Sequence, residues 1–156
     1  MRQILICAGI FLSLAASRFI PHPPNFTSLL ALAFYVPVFF GVRYIVVLII
    51  SFAITDLIIG YHLGTHWTWG SVLIIGLISK FFAKNHIWRI SGALVGACIF
   101  FIVTNLGVWL TGVYGLSIPG LVFSYTIAIP FFAYSILSTL CFSAIIEIGY
   151  KILSNK

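Results

Sequence analysis

Long apolar runs, broken at intervals by a glycine, a proline or a single charged residue, set the pattern of this chain. Apolar and polar positions do not alternate with the period of two that a half-wet strand or a membrane barrel needs. The breaks mark off helices near residues 3 to 19, 25 to 41, 43 to 60, 67 to 83, 90 to 112 and 131 to 150. A bilayer crossing takes about 20 residues, so the second, third and fourth helices reach across only if their interfacial aromatics are counted. The expectation is an all-α integral membrane protein: one domain over residues 1 to 156, built as a six-helix transmembrane bundle.

Composition strengthens this picture. Of the residues, 62% are hydrophobic and 6% charged, whereas a soluble domain carries about a quarter charged residues. The net charge of +6 comes from eight cations against two acids, and the cations are scattered singly. That excludes the basic stripe of a nucleic-acid binder. It does fix an orientation. With the N-terminus in the cytoplasm, Arg2, Arg43, Lys80, Lys84, Arg89, Lys151 and Lys156 all fall inside and only Arg18 outside. Both termini are then cytoplasmic. Arg2, the apolar stretch after it and the small residues from Ser13 to Ser17 also resemble a secretory signal. Arg18 beside that cut favours an uncleaved helix, and five spans would keep the same orientation. Cys7, Cys98 and Cys141 fall within expected helices and read as small buried hydrophobes.

Sorted by side, the polar residues gather at the outer end. Arg18, His22, Asn25, Thr55, Asp56, His62, His66, Thr104, Asn105 and Thr111 lie there, together with Trp67, Trp69, Trp109, Tyr61 and Tyr114. Aromatics favour both interfaces whatever the function, but ionisable groups within spans usually face a cavity. Asp56 and Arg18, the outer acid and the outer base, are expected to pair across the first and third helices and to serve as ligand anchors. Glu147 lies four residues before Lys151, an arrangement that supports a helix locally. The outer histidines are candidate ligand contacts rather than a metal set, because Gly60 and Gly64 break the register of His62 and His66 and no cysteine or carboxylate cluster joins them. Asn105 and Trp109, four apart, can present an amide and a ring on one helical face. Pro21, Pro23 and Pro24 stiffen the first outer loop, with Asn25 and Thr27 as N-caps for the helix that follows. No catalytic constellation and no cofactor is expected. On the fifth helix, Gly92 and Gly96 form a close-approach face, read as packing within the bundle.

Four segments carry a resemblance: Pro21-His22-Pro23-Pro24-Asn25-Phe26-Thr27, Thr55-Asp56-Leu57-Ile58-Ile59-Gly60-Tyr61-His62, Thr104 to Gly112, and Ala128-Ile129-Pro130-Phe131-Phe132. With them the chain resembles, from about residue 18 to 145, a bacterial family of small membrane proteins without assigned function. That family is similar to the S-components of energy-coupling-factor transporters, the substrate-binding membrane subunits for vitamins and related micronutrients. The resemblance implies a multi-pass protein of the bacterial inner membrane that captures a small-molecule substrate from outside. It also implies a transmembrane coupling subunit with ATPases as partners, since this chain has no phosphate-binding Gly-x-x-x-x-Gly-Lys-Ser/Thr loop. Two readings compete: a membrane enzyme using Asp56 with His62, and a ligand-free assembly protein. The transport reading expects His22, Asn25, Asp56, His62, Asn105 and Trp109 in one outward-open cavity, with residues 112 to 124 as its movable cover.

Overall fold

The computed structural model describes residues 2–61 and 64–154. Among them every regular element is helical: α1 (Arg2–Phe19), α2 (Leu29–Phe40), α3 (Tyr44–Ile59), α4 (Thr65–Ile78), α5 (His86–Leu110), α6 (Ile118–Thr126) and α7 (Ile129–Ser154). A 3-10 turn, Ser79–Phe82, extends α4. The six expected helices are present, and α6 is a seventh.

α2 is the hub of the bundle. It packs against α1, α3, α4, α5 and α7, and eight of its twelve residues are buried. A helix that is apolar all round belongs inside, where every face meets another apolar face. Phe34 and Tyr35 fill its centre, Leu14 reaches it from α1, Leu48 from α3, and Val72 and Ile75 from α4. α5 approaches through small residues. A Cβ on Gly92 would stand 2.5 Å from both Phe34 and Phe82, and one on Gly96 would stand 3.0 Å from Ile75. The glycine pair therefore packs within the bundle, as its spacing suggests.

The expectation of six full-length spans is not met by helix length. Only α5 and α7, with 25 and 26 residues, are long and apolar enough among the described residues to cross a membrane. α2, at the centre of the bundle, has 12 residues. α3 and α4 have 16 and 14 residues. Only 28% and 22% of the apolar windows of α5 and α7 are buried, whereas the core helix of a soluble fold is mostly buried. Ile87 of α5 and Ile145 of α7 face outward, as do Leu57 of α3 and Val113.

Three local expectations change. α2 begins at Leu29 rather than near residue 25, because Asn25 takes a left-handed backbone (φ 62°), which asparagine tolerates and a helix start does not use. Ser28 turns away from capping to share a hydrogen bond with the Ser17 hydroxyl, 2.8 Å, tying α1 to the start of α2. Cys98 and Cys141 are exposed on the outside of the bundle rather than buried, and all three cysteines are free thiols. Residues 112 to 124 form no loose cover. Ser117 caps α6 by accepting from the Gly120 amide (3.3 Å), Pro119 sits in the first turn, and α6 lies along α5, where the Tyr125 hydroxyl donates to the Ile102 carbonyl at 2.7 Å.

Candidate functional site

The C-terminal end of α1 and the C-terminal end of α3 bring Arg18 and Asp56 together. Arg18 donates through Nη2 to Asp56 Oδ1 at 2.6 Å and through Nη1 to Thr55 Oγ1 at 2.9 Å. The other carboxylate oxygen, Oδ2, accepts from the Trp69 indole N–H of α4 at 2.7 Å. The guanidinium lies over the Phe52 ring, 4.4 Å from its centroid. Both side chains are about nine-tenths buried. Each oxygen of Asp56 thus has a donor, and two opposite charges cancel in a dry place. Sequence reasoning reached the pair because no other charges share that end. It missed Trp69, whose signal was an indole donor facing a buried acid from the next helix.

A partly open cavity of about 250 Å³ adjoins this pair. His22, Asn25 and Thr27 line it from the loop between α1 and α2, Phe52 and Asp56 from α3, Thr68 from α4, Phe100 from α5 and Ser135 from α7. The irregular backbone of residues 20 to 28 thus forms part of the cavity wall. His22 Nδ1 donates to the Pro23 carbonyl at 2.7 Å, since a carbonyl only accepts. The Ser138 hydroxyl of α7 pins the Asn25 carbonyl at 3.3 Å.

A second cavity, about 280 Å³, shares Asn25, Phe100 and Ser135 with the first. Thr104 and Asn105 of α5 line it, with Phe131 and Phe132 of α7. The Asn105 amide donates to the Phe101 carbonyl at 2.8 Å. Of the eight candidate ligand contacts, Arg18, His22, Asn25 and Asp56 therefore share one cavity, and Asn105 joins Asn25 in its neighbour. Trp109 is elsewhere: its indole donates to the Ser117 carbonyl at 3.1 Å and fixes the α5–α6 connection. His66, in the first turn of α4, is exposed with its ring 5.4 Å from Trp67. His62 lies outside the described residues. None of residues 112 to 124 lines either cavity. Groups of three or more metal-ligating side chains do not occur among the described residues.

A family model for a family of unknown function, DUF6580, matches residues 1–156, the whole chain. The chain belongs to this family. No curated protein and no solved structure matches it. The family assignment covers both ends of the bundle, and the far end holds its own ion pair. There Glu147 of α7 accepts from Arg89 of α5 in a two-pronged bond, Nε to Oε1 at 2.7 Å and Nη2 to Oε2 at 2.6 Å. The local pairing of Glu147 with Lys151 expected from their spacing gives way to this one, because a planar guanidinium meets a carboxylate with two parallel bonds and an ammonium does not. Both acids among the described residues are thus engaged by arginine, one at each end of the bundle.

Proposed function

We propose that this member of the family is a multi-pass membrane subunit that binds a small polar solute at the outer end of its bundle. One observation carries the reading: polar side chains from α1, α3, α4, α7 and the α1–α2 loop converge on a single cavity in a protein whose exterior is apolar. The charges of Arg18 and Asp56 cancel, and the remaining polar lining consists of His22, Asn25, Thr27, Thr68 and Ser135. Such a lining suits a neutral or zwitterionic solute with several hydrogen-bonding groups. Asp56 acts as an anchor rather than a general base, since both of its oxygens already accept from donors.

The likeness to energy-coupling-factor S-components extends the reading to micronutrient or vitamin uptake, with a transmembrane coupling subunit and ATPases as partners. In support of a partner, Gly9 and Ser13 line an outward-facing groove on α1, and a Cβ at Gly9 would meet nothing within 4 Å. The topology proposed is that of the bacterial inner membrane, with six helices inserted, both termini cytoplasmic, and the short central helices shielded by α5 and α7. Cysteines introduced at residue 86 and at the two termini of a cysteine-free variant are expected to react with an impermeant thiol reagent only from the cytoplasm. A cysteine at 116 is expected to react only from outside. Outside labelling of residue 86 would overturn the orientation.

Solute capture is tested by native mass spectrometry of the detergent-purified protein, with thermal-shift screening of a vitamin panel. A co-purifying or stabilising polar solute is expected, bound at least tenfold more weakly by His22→Ala at unchanged apo stability. A protein that carries no such solute and is shifted by no member of the panel would sink the reading.

A further inference from the structure

α7 carries a polar stripe that the solute cavity does not use in full. Ser135, Thr139, Ser143 and Glu147 follow one another at intervals of four, so they stack on one helical face. Ser135 lines both outer cavities, and Glu147 lines a cleft of about 410 Å³ at the far end, beside Arg89, His86 and Lys151. The stripe therefore runs from one end of the bundle to the other, about 18 Å along the helix axis at 1.5 Å per residue.

Its middle is buried and unsatisfied. Among the described residues, three buried side-chain oxygens lack a hydrogen-bond partner: the hydroxyls of Thr139, Ser143 and Tyr35. All three are at most 1% exposed. Other buried hydroxyls, such as those of Ser51, Ser71 and Ser124, turn back to a carbonyl three or four residues earlier. Thr139 and Ser143 sit on the same kind of helix and do not. Tyr35, from α2, stands beside Ser143 and Glu147, within reach of both. Orphaned buried hydroxyls cost about 1–3 kcal/mol each, so such groups are normally met by internal water. The spacing suits that: hydroxyls four residues apart are separated by about 6 Å, close to the span of one water making two bonds of about 2.8 Å.

We infer that this stripe holds a single file of water joining the outer cavity at Ser135 to Glu147, and that the file conducts protons across the bundle. A proton enters from the outer cavity, each hydroxyl and water passes one on as it receives one, and the proton leaves through the far cleft. One positive charge crosses per event, and no bond to carbon changes. Glu147 faces Arg89, Tyr35 and Ser143, and the ion pair with Arg89 caps the end of the file without blocking the hydroxyls above it. The inference is independent of which solute, if any, occupies the outer cavity.

The test uses the full chain reconstituted in proteoliposomes of phosphatidylethanolamine and phosphatidylglycerol, with a trapped pH dye and a potassium–valinomycin potential to balance charge. Proton entry at least tenfold faster than into protein-free vesicles is expected. Thr139→Val and Ser143→Ala should each slow it at least fivefold, Thr139→Ser should restore it, and Thr126→Val, an exposed hydroxyl off the stripe, should leave it unchanged. Folding of each variant is checked by its elution and thermal midpoint in detergent. Should Thr139→Val fail to fold, Ser143→Cys in a variant without the three native cysteines decides: a small hydrophilic thiol reagent should modify it, and should modify Leu140→Cys, on the outer face of α7, far more slowly. Wild-type entry no faster than into empty vesicles, a folded Thr139→Val that conducts like wild type, or an inert Ser143→Cys would each overturn the inference.

Discussion

Asp56→Asn and Arg18→Gln are each expected to destabilise the protein by about 3–5 kcal/mol, because each change leaves one charge buried without its partner. For a chain of this size that is a fall of about 6–20 °C in the thermal midpoint measured in detergent. The double variant is expected to lose clearly less than the sum, since it strands neither charge. The two single effects should also differ in kind. Arg18→Gln removes the guanidinium from Phe52 and Thr55 as well as from Asp56, whereas Asp56→Asn keeps an oxygen that accepts from Trp69. Strict additivity of the two midpoint shifts would show that the pair contributes no coupling.

The far-end pair makes a sharper test of geometry. Glu147→Ala is expected to cost about 3–5 kcal/mol by stranding Arg89. Arg89→Lys keeps the charge balance, yet it should still cost about half as much. It loses one of two parallel bonds and the planar contact with the Phe39 and Tyr150 rings, whose centroids lie 5.3 and 5.4 Å from the guanidinium carbon. Those rings stack on each other at 4.7 Å, so the guanidinium, α2 and α7 are fastened at one place. Thermal midpoints of wild type, Glu147→Ala and Arg89→Lys decide the point. A lysine variant as stable as wild type would mean that charge alone holds this end together.

How much of this was legible in the sequence follows from the range of each signal. Apolar runs and their Gly and Pro breaks located all six long helices, because helix-forming stretches and their stops are local. The Arg18–Asp56 pair was legible for a different reason: with so few charges at one end, a buried cation had a single acid to meet. Glu147 shows the opposite case. Its neighbour four residues on was visible, while Arg89, 58 residues away, could be reached only through the packing of α5 against α7. The start of α2 was misjudged because asparagine suits both a helix cap and a left-handed turn, and Ser28, pulled toward Ser17, decided between them. α6 had a signature in Ser117 followed by Pro119, a cap and a first-turn proline. Its apolar side chains suggest a cover over the cavity, whereas Ile118, Val122 and Phe123 are exposed on a helix that packs along α5. The convergence of Asn25 and Ser135 had no sequence signal at all, since loop and helix lie more than a hundred residues apart.

The position of α2 also bears on how the chain assembles. Among its five neighbours is α7, about a hundred residues further along the chain, whose Ser138 holds the Asn25 carbonyl just ahead of α2. Pairwise docking of successive hairpins, the quick route for helical proteins, leaves one flank of α2 bare until α7 has been made. The packing of α2 is completed by contacts about a hundred residues apart in sequence, and chains truncated before residue 129 would leave the central helix uncovered and open to proteolysis.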